Sequence, residues 1–249
     1  MTAFLKDNLK FIVFLLIFGL VGGYFTVLYS MEGLDDSLIE EAVSQVGSID
    51  VVILISTVQS ALYSLVLGLF GKFLSEKIGL WRKIGFERKP LITVGIVSLV
   101  GGILFIIPDY FIFGSFSQVI KDSYAVKPTV NYIISCLTYA PVVEEVMLRL
   151  FFMSLISFAL WKLSRKENVT EKHIIIANVA SALLFAAGHL PSTAIMLGLT
   201  PIIIIRCFLM NGAFGLAFGY LYRKHGIQYA MLAHAGVHIV SKLIWILFI

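Results

Sequence analysis

Ala140-Pro141-Val142-Val143-Glu144-Glu145-Val146-Met147-Leu148-Arg149 sets three ionisable side chains inside a run that otherwise reads as membrane helix. On insertion scales an ionisable residue at the bilayer centre costs about 2.5–3.5 kcal/mol. Three within six positions need pairing, water, or both. Helical spacing suggests the arrangement: Glu145 and Arg149 are i,i+4 neighbours and can pair directly. Glu144 lies about 100° round the helix and does not share that face. One carboxylate is therefore expected to be neutralised by Arg149, and the other to face something else.

The rest of the chain has the same character. Its 249 residues are 59% hydrophobic and only 14% charged, against about 25% charged in a typical soluble domain, and mean hydropathy is +0.95. The expected fold class is all-α, a polytopic membrane helix bundle of about seven transmembrane helices. Apolar runs of the ~20 residues a bilayer needs fall near 11–30, 51–71, 91–113, 129–161, 173–190, 194–222 and 226–249. Pro141 predicts a kink or break in the long fourth span just before Glu144. The first span follows Lys6 and Lys10, is too long for a signal-peptide core, lacks a clear cleavage site and is expected to stay attached. Cys136 and Cys207 both lie in spans and read as small buried hydrophobes.

A pI near 9.0 invites a nucleic-acid reading, but the basic residues fall in short loops between spans. Lys6 and Lys10, the cluster from Lys72 to Lys89, the group from Lys162 to Lys172, and Arg223 and Lys224 make fourteen on one side. Only Lys121 and Lys127 fall on the other, and Arg149, Arg206 and Lys242 sit within spans. This positive-inside pattern predicts a cytoplasmic N-terminus, an external C-terminus, the lipid bilayer as partner and no nucleic acid. The loop 31–50 is acidic, with no lysine or arginine, and suits either a short amphipathic helix on the outer face or a solvated loop. Gly215 and Gly219 form a G-x-x-x-G pattern for close helix approach. Arg206 has no evident partner.

Three histidines join the glutamates: His189 ends the fifth span, and His234 and His238 share one face of the seventh. Counting about 1.5 Å per residue from the loop 162–172 puts Glu144 and His189 at a common depth of roughly 25 Å; His234 fits that depth less well. Two chemistries suit this set. One is a zinc site with imidazole ligands, although H-E-x-x-H is missing. The other is metal-free, with glutamate and histidine activating water while other polar groups hold the oxyanion.

Glu144-Glu145-x-x-x-Arg149, Phe185-x-x-x-His189 and His234-x-x-x-His238, in this order in membrane helices, resemble the three motifs of the type II CAAX prenyl endopeptidase family, also called the CAAX protease and bacteriocin-processing (CPBP) family. The resemblance covers about 129–249, so the chain is divided into an N-terminal transmembrane region, 1–128, with three spans, and a CPBP-like catalytic core, 129–249, with four. It implies an intramembrane glutamic endopeptidase acting on a membrane-associated or lipidated peptide or protein substrate. Glu144 and His189 would activate water, Glu145 and Arg149 would order the site, and His234 and His238 would bind the oxyanion. No cofactor or metal would be required, with zinc kept open because His238 stands where the family usually has asparagine or aspartate. The short chain and compact loops suggest a prokaryotic cell membrane. The rivals are a non-enzymatic membrane immunity or scaffold protein, a zinc-dependent membrane protease, and a proton-relay transporter; no repeated halves favour the last.

The charge split gives a direct test. Cysteines introduced at positions 40 and 85 should be labelled from opposite sides of sealed vesicles; labelling of both from one side would overturn the topology.

Overall fold

The computed structural model describes residues 3–249, which fold entirely as helices and connecting turns. Seven helices are long and apolar enough to cross a membrane: Lys6–Glu32, Ile49–Lys77, Arg88–Phe116, Val130–Ser164, Glu171–Leu197, Pro201–His225 and Ile227–Phe248. Leu54, Phe70, Ile96, Leu183 and Ile205 are each more than half exposed on their flanks. Such a surface would aggregate in water and matches lipid tails. The molecule is a multi-pass membrane bundle.

Helix ends follow local chemistry. The side chains of Ser48, Thr129 and Thr200 accept from the backbone N–H groups of Val51, Tyr132 and Ile203, each satisfying a donor left free in a first turn. Gly226, at φ +110°, alone separates the sixth and seventh spans; only a residue without Cβ turns there unstrained. The sixth span begins at Pro201, later than the expected 194. Residues 190–197 instead prolong the fifth span past His189, and Gly198 at φ +74° stops them. The acidic loop contains a helix, Asp36–Val46, with no buried residue.

The fourth span is 35 residues long, about 52 Å at 1.5 Å per residue, well beyond the ~30 Å of hydrocarbon. A residue count from Lys162 therefore does not fix the depth of Glu144. The expected break at Pro141 is a widening instead. Tyr139–Glu144 and Val146–Met153 are π-helical turns, which absorb the missing proline N–H without ending the helix; such turns are frequent at functional sites.

Gly215 and Gly219 pack within the bundle. A Cβ at Gly215 would lie 2.9 Å from Ala182 Cα, and one at Gly219 only 1.8 Å from Asn178 Oδ1. The fifth and sixth spans therefore meet backbone to backbone, which the G-x-x-x-G spacing anticipates.

Arg206 does have a partner. Its Nε and Nη2 donate to both oxygens of Asp109 at 2.5 Å, and Tyr124 Oη donates to Asp109 Oδ2 at 2.6 Å. Asp109 is fully buried in a π-helical turn just after Pro108. Burial and the Asp109 charge push the Tyr124 hydroxyl well above its ordinary range, so it stays a donor. This bidentate pair ties the third span to the sixth and to the loop before the fourth. Asp109→Leu or Arg206→Met alone should destabilise the protein by about 3–5 kcal/mol, because each strands a buried charge, whereas the double variant should recover most of that. Thermal unfolding in detergent checks this.

Candidate active site

The π turns of the fourth span point its two glutamates to different places. Glu145 is fully buried. Its Oε1 accepts from His234 Nδ1 at 2.9 Å and lies 3.2 Å from Arg149 Nη1. The expected i,i+4 pair is present, and the seventh span supplies a further partner. Arg149, 1% exposed, stands off its carboxylate without hydrogen-bond alignment. Its guanidinium lies over the Phe185 ring at 4.4 Å and near Phe218 at 5.7 Å. Aromatic faces attract a cation, and they occupy the space that water would otherwise fill.

Glu144 is the carboxylate left over. It makes no hydrogen bond or ion pair with any other described residue, and it lines a cavity of about 530 Å³ together with His189, His234 and His238. All four residues proposed from sequence as catalytic thus share one space, while Glu145 and Arg149 lie behind it. The depth mismatch for His234 disappears, because the seventh span carries its ring straight onto Glu145.

Each imidazole has its own constraint. His189 closes the main helix of the fifth span just ahead of Pro191, and its Nδ1 is 2.8 Å from the carbonyl of Phe185. A carbonyl only accepts, so the proton sits on Nδ1 and Nε2 keeps a free lone pair. His234 donates Nδ1–H to Glu145 and is stacked between Phe218 (4.5 Å, 21°) and His238 (5.0 Å, 26°). His238 touches Phe105 edge-on, and its buried Nδ1 has no partner. Among the described residues no three His, Cys, Asp or Glu side chains group as a metal ion would need. His234 and His238 lie ring on ring instead.

Residues 126–240 match the family model described as type II CAAX prenyl endopeptidase Rce1-like. That stretch is similar to an Rce1-like domain. The matched segment contains Glu144, Glu145, Arg149, His189, His234 and His238, and likeness to this family points to a protease, hence a hydrolase, in a membrane setting. No curated protein matches the chain, and no solved structure does.

Several neighbours of the site carry no sequence signal of their own. Phe218 stacks on His234 without belonging to any motif. Tyr139 and Cys136 line the cavity one and two turns before Glu144. Lys242, four residues past His238, also lines it; its place on the His234–His238 face is the only hint the sequence holds.

The division between buried frame and open cavity is testable by stability. Glu145→Gln and Arg149→Leu should each lower the unfolding temperature in detergent and the amount of protein in membranes, at a cost of about 3–5 kcal/mol. Glu144→Gln, which breaks no contact, should unfold like wild type.

Proposed function

We propose that this protein is an intramembrane glutamic endopeptidase in which Glu144 and His189 activate a water molecule for attack on a peptide bond. The observation that carries the reading is the free state of both groups. Glu144 has no hydrogen-bond or ion-pair partner among the described residues, and His189 Nε2 keeps an unshared lone pair in the same cavity. A water held between them loses its proton to Glu144 as its oxygen bonds to the carbonyl carbon. The carbonyl oxygen becomes an oxyanion. As the C–N bond breaks, the proton passes from Glu144 to the leaving nitrogen, and the new carboxyl group gives up its own proton to the amine, leaving a carboxylate and an ammonium.

The oxyanion needs a donor. His234 has given Nδ1–H to Glu145, so in its neutral form Nε2 only accepts. His238 has no such tie and can donate as neutral imidazole. It takes the donor role that asparagine fills equally well. The proposed reaction calls on no metal.

The cavity runs from Glu144 to Thr26, Tyr29 and Gly33 on the first span, to residues 123–129, and to Met196 and Leu197. These are the span ends opposite the lysine-rich loops. With the N-terminus in the cytoplasm, the mouth faces outward, and the substrate is a membrane-associated peptide or protein entering from that side or from the bilayer.

With purified protein and a quenched-fluorescent peptide library, Glu144→Gln and His189→Ala should each lose on the order of 10²–10⁴ in turnover while staying folded. His238→Leu should lose about 10²–10³, as removal of one oxyanion donor does, and His238→Asn should keep much of the activity. Strong chelation should leave turnover unchanged. A fully active Glu144→Gln, or chelator loss rescued by zinc, would overturn the mechanism.

A further inference from the structure

The cavity wall holds three cations and two carboxylates: Lys127, Arg206, Lys242, Glu32 and Glu144. Most are spoken for. Arg206 is claimed by Asp109. Lys127 Nζ donates to the carbonyls of Trp245 and Ile246 at 3.3 Å, closing the end of the seventh span. Glu32 accepts from Thr129 at 2.7 Å and Asn131 at 2.8 Å. Lys242 differs. It is 6% exposed, and its ammonium makes no hydrogen bond or ion pair with any described residue.

What surrounds Lys242 is aromatic. Its Nζ lies 4.7 Å from the Tyr132 ring centroid, 5.1 Å from Phe105 and 5.7 Å from Trp245. Three ring faces stabilise a cation and exclude water, but they leave every N–H donor of the ammonium without an acceptor. A charged group at membrane depth with no anion is costly and marks a functional position. The open side of the cage is the cavity that also contains Glu144.

We propose that Lys242 is the receptor for a peptide carboxylate, so that the cavity binds its substrate by an anionic group seated in the Tyr132–Phe105–Trp245 cage. This rests on the hydrolytic reading for its link to cleavage, but the carboxylate site itself does not. The ammonium supplies up to three donors, and the dry cage strengthens a charge-assisted bond to an incoming anion. Lys242 is two helical turns beyond His234 on one face, about 12 Å along the axis, and extended peptide covers about 3.3–3.6 Å per residue. A carboxylate at Lys242 therefore lies a few residues of extended peptide from the His234 end of the same cavity.

The test is binding, measured by calorimetry in detergent with the Glu144→Gln protein, so that hydrolysis does not consume the probe. Acetyl-Ala-Val-Leu with a free carboxylate should bind about tenfold or more tightly than the same tripeptide ending in an amide. Lys242→Met, checked for wild-type unfolding, should erase that difference, and Lys242→Arg should keep part of it. A third probe, acetyl-Ala-Val-Glu amide, separates the sources: binding like the acid assigns the site to side-chain carboxylates as well, and binding like the amide restricts it to the chain terminus. Equal binding of acid and amide, no binding of either, or discrimination that survives Lys242→Met would overturn the proposal. Carboxylate-selective binding without cleavage of any peptide by wild type would leave this site standing and refute the hydrolytic reading. Cleavage with no carboxylate preference would do the reverse.

Discussion

Everything in the C-terminal half is arranged around one oxygen, Oε1 of Glu145. A fully buried carboxylate in a bilayer must find positive charge or donors nearby, and this one has both: Arg149 on its own helix and His234 from the seventh span. Arg149 in turn lies on Phe185 of the fifth span and beside Phe218 of the sixth. Four spans thus converge on a single ion contact. Removing either charge would leave the other unpaired in a dry interior, which is far more damaging than the pair is stabilising. The contact therefore constrains the arrangement more than it strengthens it. It sets the His234 ring, and through stacking the His238 ring, at the edge of the cavity.

A second buried pair does similar work farther out. Asp109 and Arg206, with Tyr124, connect the third and sixth spans and the loop before the fourth. The two networks consume most of the ionisable groups that lie at membrane depth. Outside both networks, and without a hydrogen bond or ion pair to any described residue, stand Glu144, Nε2 of His189, both nitrogens of His238 and the Lys242 ammonium. All of these line the same cavity. Protein interiors rarely leave polar groups unmet, so a set of unmet groups facing one space is best understood as matched to something that enters it.

Much of this is legible in the sequence. Seven spans follow from length and composition, and the separation of roles between Glu144 and Glu145 follows from helical spacing plus one arginine. The three histidines and the family resemblance place the site in the last four spans. Other features depend on contacts that no local pattern encodes. Asp109 and Arg206 are 97 residues apart, and neither position announces its partner. The π turns arise because Pro141 is held inside a packed bundle; the proline itself signals only that the helix must adjust. The sixth span starts late because apolar character runs almost unbroken from the fifth span into it, and Gly198 and Pro201 decide the boundary. Residue counting leaves His234 apart from Glu144 because it sets every span at one starting level, whereas the fourth span is longer than the hydrocarbon is thick.

The most direct test of the central claim compares membranes from cells producing wild-type protein and Glu144→Gln at equal levels, by mass spectrometry of peptide N- and C-termini. If Glu144 activates the water, wild-type membranes will contain new termini from membrane-associated proteins or peptides, and these will be missing with Glu144→Gln although the variant is folded and inserted. Identical sets of termini in both membranes, with both proteins present and folded, would contradict the account.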